Sequence, residues 1–150
     1  MSETVTIAID GPVASGKTAV GIFLADKLAY RFLDTGAMYR AVTWVALEEN
    51  ISLNDDEALG SLADRMDTKL FSVNGEQRLF VELQDITDYL HVPEVEEAVS
   101  LVAKIPGVRS ALRIQQRLIA EGGDIVMSGR DIGTVVLPKA TLKKGRVVRT

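Results

Sequence analysis

The chain has 150 residues, a net charge of −4, an apolar share of 47% and a charged share of 25%, the size and make-up of one globular domain with a substantial core. It has no cysteine and a single histidine, His91, which excludes disulfides and thiolate metal sites and leaves little room for transition-metal or serine–histidine chemistry. The acidic balance gives no support to nucleic-acid binding. With no basic-then-apolar leader and no apolar run of membrane length, the expectation is a cytoplasmic protein without a membrane partner.

Val5–Asp10 is a nearly continuous apolar run, the pattern of a parallel strand covered on both faces. It leads into Gly11, Pro12, Val13, Ala14, Ser15, Gly16, Lys17 and Thr18, which fit the phosphate-loop pattern and form the candidate ATP cradle. Gly11 and Gly16 let the backbone turn tightly and aim N–H groups at phosphate oxygens. Lys17 places an ammonium on the β- and γ-phosphates, and the Thr18 hydroxyl is the candidate ligand to an ATP-bound Mg²⁺. The helix expected over Ala19–Ala29 adds its positive dipole end. Val20, Phe23, Leu24 and Leu28 are its expected sheet-facing stripe.

A second strand is expected over Arg31–Asp34, then a helix capped by Thr35 and running to about Glu49. Strand and helix in this alternation indicate α/β architecture. Asn54-Asp55-Asp56-Glu57 reads as a capping box with Asn54 in the cap position, opening a helix to about Met66. Leu70–Val73 and Arg78–Leu83 flank Asn74-Gly75, a hairpin signal that interrupts the rhythm like an insert. Pro93 suits the first turn of a helix over Glu94–Lys104, with Val95, Val99, Val102 and Ala103 as core. Pro106-Gly107 breaks it, and another helix covers Val108–Glu121 until Gly122-Gly123. Asp124–Met127 is the third core strand, ending in Ser128-Gly129-Arg130-Asp131. Tyr39 and Trp44 read as packing groups and His91 as a surface histidine.

Three stretches together resemble the bacterial cytidylate kinase family of P-loop nucleoside-monophosphate kinases: Ile7–Pro12 running into the phosphate loop, Asp34–Arg40, and Gly129–Val136. The hairpin, Asp85-Ile86-Thr87 and Pro93-Glu94-Val95 match in layout. The likeness runs from about Thr4 to Lys143. It implies a P-loop NTPase α/β fold with a parallel sheet and a small insert that binds the monophosphate. The core would be residues 1–50 and 107–143, with the insert at about 51–106. The implied reaction is transfer of the γ-phosphoryl of ATP, with Mg²⁺, to CMP or dCMP. Lys17, Arg40 and Arg130 would be the catalytic cations, with Arg40 and Arg130 on the acceptor phosphate and Thr35 assisting through its hydroxyl. Ser100, Arg109 and Asp131 would line the cytosine pocket, a carboxylate accepting from the 4-amino group and an arginine donating to ring acceptors. The rival reading of Arg40 is a solvated residue on an amphipathic helix, with phosphate favoured within Asp34–Arg40. Arg130-Asp131 has a loop ion pair as its rival reading, but two glycines flank it at a strand's carboxyl end and the site reading leads; Ser100 and Arg109 read as surface residues.

The sequence departs from the family in three places. Ser128 stands where an acidic residue near the metal is common, and His91 where arginine is usual. Residues 144–150 do not resemble the family at all and read as a truncated or frameshifted end without the lid and last core elements. A complete chain is expected to be monomeric. Here Val5–Asp10 is expected to be an apolar sheet edge open to association, with the tail poorly ordered or Arg146–Arg149 as a makeshift strand. Rival readings are a P-loop kinase for another small acceptor and a nucleotide-binding remnant with little catalysis.

Overall fold

A computed structural model describes residues 4–11, 16–130, 132–137, 140 and 142–145. Their elements are β1 Thr6–Asp10, α1 Lys17–Leu28, β2 Arg31–Asp34, α2 Thr35–Glu48, α3 Asp56–Arg65, β3 Thr68–Val73, β4 Glu76–Val81, β5 Gln84–Asp85, α4 Pro93–Ala103, α5 Pro106–Glu121, β6 Ile125–Gly129 and β7 Leu142–Gly145. A 3₁₀ turn covers Thr87–Tyr89 and a single π-helical turn Ile132–Val136. The chain forms two compact units, Met1–Thr35 with Gln116–Thr150, and Gly36–Gln115. Among the described residues no helix is long and apolar enough to cross a membrane.

In the first unit four strands stand in the order β2-β6-β1-β7, and every pairing is parallel. β6 is buried along its whole length, as its uninterrupted apolar run requires for a strand covered on both faces. Ile7, Ile9, Ala25 and Val126 form a buried cluster, with Val5, Leu24, Tyr30 and Phe32 packed around it. Each large aliphatic side chain in such a cluster contributes about 1.5–3 kcal/mol of burial free energy.

Two expectations about this unit are corrected. β1 is not a sheet edge, because β7 pairs with it in the register Ile7↔Leu142 to Asp10↔Gly145. Strand pairing uses main-chain donors and acceptors, so Leu142–Gly145 can cover β1 whatever side chains it carries. Arg146–Arg149 lie outside the described residues. The second correction concerns α1. Val20 and Phe23 are exposed at 51% and 64% and Leu28 at 42%, while the buried positions are Gly21 and Ala25, with Leu24 alongside in the cluster. A Cβ on Gly21 would run into the Phe32 ring. The helix therefore meets the sheet through its smallest residues, one position later than the large apolar side chains indicate.

In the second unit β3, β4 and β5 form an antiparallel sheet in that order. Asn74 and Gly75 both take the left-handed conformation, φ 53° and 81°, the pair that a type I′ hairpin turn demands. Arg78 gathers Glu76, Asp85 and Asp88 at 2.7, 2.9 and 3.1 Å, tying the strands to the 3₁₀ turn. α3 is capped by Asp55, whose carboxylate accepts from the Ala58 amide at 3.0 Å, one residue later than the expected Asn54. α4 buries Val95, Ala98 and Val102; Val99 and Ala103 are only half-buried. Pro106 opens α5 rather than only ending the helix before it. A Cβ on Gly60 would stand 3.5 Å from the Gly107 Cα, so α3 and α5 meet backbone to backbone.

The α1 geometry sets a contrast that urea denaturation can read. Gly21→Val, which forces a branched side chain against Phe32, is expected to cost about 1–3 kcal/mol of stability. Phe23→Ser, at the exposed position of the larger residue, should change stability by less than about 0.5 kcal/mol.

Candidate functional site

Three sequence stretches converge at the carboxyl ends of β1 and β6, where open parallel sheets form their ligand crevices. β1 ends in Asp10, and the next amide, Gly11 N–H, donates to the Gly129 carbonyl at 3.1 Å. Gly16, at φ 86°, turns the chain into α1, and the Val20 amide donates to its carbonyl at 3.1 Å. Lys17 is half-buried and Thr18 exposed in the first turn. The cradle residues Pro12, Val13, Ala14 and Ser15 lie outside the described residues, as does Asp131.

Thr35 is the first residue of α2 rather than its cap, and it is buried. Its hydroxyl donates to the Ser128 carbonyl at 3.1 Å, so its proton is committed to the end of β6. A Cβ on Gly129 would land on this hydroxyl, so only glycine fits there. Next to it Arg130 is exposed.

Sequence reasoning missed two residues of this unit. The Asp10 carboxylate accepts from the amides of Ile132 and Gly133, the latter at 3.1 and 3.2 Å to its two oxygens. Arg117 holds the other end of the same π turn, donating to the carbonyls of Val135 and Val136 at 2.7 and 2.8 Å. The carboxylate was visible in the sequence as the polar end of an apolar strand. Its partners were not, because they are main-chain groups more than a hundred residues away.

The second unit carries the other expected residues. Arg40 donates through Nε to Glu96 Oε1 at 2.8 Å. The other Glu96 oxygen faces His91 Nδ1 at 3.5 Å. The hydrogen bond from Arg40, assisted by its charge and by His91, outweighs desolvation and holds the Glu96 carboxyl below the usual range. The Nε contact leaves the Nη1–Nη2 edge of the guanidinium, the one that matches two phosphate oxygens, on the other side. Arg109 donates to the Ala103 carbonyl at 3.0 Å, and its guanidinium lies 5.9 Å from the centre of the Tyr39 ring. Burial raises the Tyr39 phenol, against the opposing charges of Arg109 and Arg113. Trp44 stacks on Tyr89 at 5.0 Å between ring centres, consistent with packing. Ser100 is exposed on α4. Glu96 is the residue of this unit that sequence reasoning missed; its partner Arg40 lies 56 residues away.

For a divalent cation the described residues offer hydroxyls rather than a carboxylate cage. No cluster of three or more His, Asp or Glu is found among them. The Ser128 hydroxyl is fully buried without a hydrogen-bond partner among them. This donor set fits Mg²⁺, which keeps waters and phosphate oxygens and takes few protein ligands.

The sequence profile described as Cytidylate kinase matches residues 7–144. A cytidylate kinase of Geobacillus sp. (strain WCH70) is 48% identical over 143 residues, 95% of this chain and 64% of that protein. The Bacillus subtilis (strain 168) cytidylate kinase is 44% identical over the same shares. That of Exiguobacterium sibiricum is 49% identical over 94% of this chain and 63% of its own length. The chain thus spans about 64% of the length of the curated relatives it matches. The profile match begins in β1, ends in β7 and takes in both units, and the chain belongs to the cytidylate kinase family.

Proposed function

We propose that this chain binds ATP at Gly11–Thr18 and CMP or dCMP through Arg40 and Arg130, and serves transfer of the γ-phosphoryl group to the acceptor phosphate. The observation that carries this reading is the union of Asp10-Gly11, Thr35 and Ser128–Gly133 by hydrogen bonds at one end of a parallel sheet. In the reaction an oxygen of the acceptor monophosphate attacks the γ-phosphorus, the bond to the β,γ-bridging oxygen breaks, and ADP leaves. Such transfer asks for positioning and for cations around the moving group.

Lys17 and the loop amides take the triphosphate, with α1 adding the positive end of its dipole. Thr18 would hold a Mg²⁺ that arrives with the nucleotide, the unpartnered Ser128 hydroxyl would be a candidate for one of its waters, and the ion when bound would supply neutralisation of phosphate charge. Arg130 takes the acceptor phosphate, and Thr35 secures the Ser128-Gly129 backbone beneath it. Arg40 takes the same phosphate through its Nη edge while Glu96 holds Nε. Ser100, Arg109 and Asp131 read the cytosine ring.

Titration calorimetry tests this reading. Lys17→Met is expected to weaken ATP binding at least about tenfold, the size of one lost charge-assisted contact, and to leave CMP affinity within about twofold. Arg130→Ala is expected to show the reverse pattern. Unchanged ATP affinity in Lys17→Met, or equal affinity for all nucleoside monophosphates, would sink the proposal. Binding of both ligands without turnover would leave nucleotide binding as the whole activity.

The Arg40–Glu96 pair makes a separate prediction. Because the folded Glu96 carboxyl lies below its unfolded value, the pair stabilises the fold above the unfolded glutamate pKa. That contribution is lost as pH falls through the folded value. Urea midpoints of wild type and Glu96→Gln should therefore differ near neutrality and converge as pH falls through the lowered folded value of the Glu96 carboxyl. The difference should be small, since Glu96 is half exposed to solvent.

A further inference from the structure

Arg130 is bracketed. The carbonyl of Gly129 before it accepts from the Gly11 amide at 3.1 Å. Two residues after it, the Ile132 amide donates to Asp10, and Gly133 donates to the same carboxylate. Both flanks of the arginine are thus tied to two consecutive residues, Asp10 and Gly11, where β1 passes into the phosphate loop. Arg117 closes the far end of the π turn through Val135 and Val136. Gly129 before Arg130 and Ile132 two residues after it are thus held by hydrogen bonds, while the Arg130 side chain is exposed.

We propose that Asp10 is a positioning residue for the acceptor site: its carboxylate fixes the Arg130 segment to the strand that carries the phosphate loop. This inference rests on the reading of Arg130 as a clamp on the acceptor phosphate. Three features separate Asp10 from an ordinary turn-capping residue. Its partners lie across the sheet crossover rather than in its own turn. They begin two residues after Arg130. The second tether, Gly11 to Gly129, makes the connection two-pointed, so that the segment resists rotation as well as translation. A charged group set by such a support loses affinity when the support is removed, even though the support touches no ligand.

The test is a double-mutant cycle read by calorimetry on the whole chain, with CMP and with ATP and Mg²⁺ as separate titrants. Asp10→Ala is expected to weaken CMP binding about tenfold, as misplacement of a binding group does, and to keep ATP affinity within about twofold. In an Arg130→Ala background the same substitution should add less than about twofold, because residues acting through one another are non-additive. Asp10→Asn keeps an accepting oxygen and should hold CMP affinity within about threefold of wild type. Additive losses, equal losses of CMP and ATP, or no loss in Asp10→Ala would each overturn the inference. If wild type binds no CMP, the reading of the site falls and the inference with it. If wild type binds CMP and only Arg130→Ala weakens it, the inference alone falls. Should Asp10→Ala fail to fold, Asp10→Glu carries the acceptor one methylene further. Loss of CMP affinity with ATP affinity kept then supports the proposal, and unchanged CMP affinity overturns it.

Discussion

The first unit depends on one junction: β1 hands its last backbone donor and its terminal carboxylate to the end of β6 and the turn beyond it. Gly11 bonds Gly129, and Asp10 bonds Ile132 and Gly133. A parallel pair normally stops exchanging hydrogen bonds where its strands end. Here the exchange continues past the sheet, first through the main chain and then through a side chain. The ends of the two strands are thereby tied to each other beyond their last ladder pair.

The junction is only as tight as the residues around it are small. Gly129 has no Cβ, which lets the Thr35 hydroxyl reach the Ser128 carbonyl. Gly21 has none either, and α1 settles onto Phe32. In the second unit Gly60 and Gly107 bring α3 and α5 into backbone contact. Each of these positions lowers helix or strand propensity. The loss is offset by closer packing and, at Gly129, by a hydrogen bond that a larger residue would prevent.

These same positions explain what could be read from the sequence. The strands, the order of the helices and the Asn74-Gly75 turn were legible because periodicity and turn chemistry are local. The three motif stretches carried the family likeness. The stripe on α1 was misread because large apolar residues look buried, whereas the helix buries Gly21 and Ala25 and leaves Phe23 exposed. The cap of α3 moved from Asn54 to Asp55 because either side chain can accept, and only backbone geometry chooses between them. The cover over β1 was missed because main-chain pairing is insensitive to side-chain pattern. Asp10, Arg117 and Glu96 escaped for a related reason. Their partners are carbonyls, amides or charges distant in sequence, and no spacing rule points to them.

The arginines share a design that follows from their shape. A guanidinium has donors on several edges of one plane, so one edge can be committed to the protein while another faces outward. Arg40 spends Nε on Glu96, and Arg109 spends Nη1 on the Ala103 carbonyl while lying against Tyr39. Each commitment removes rotamer freedom during folding, so less conformational entropy remains to be lost when a ligand arrives. Glu96 also partly cancels the charge of Arg40, which weakens attraction to any single anion at long range. What it leaves is a directed pair of N–H groups, and a directed pair favours two oxygens on one phosphorus over a diffuse negative charge. On this argument the carboxylate beside Arg40 trades affinity for discrimination among anions.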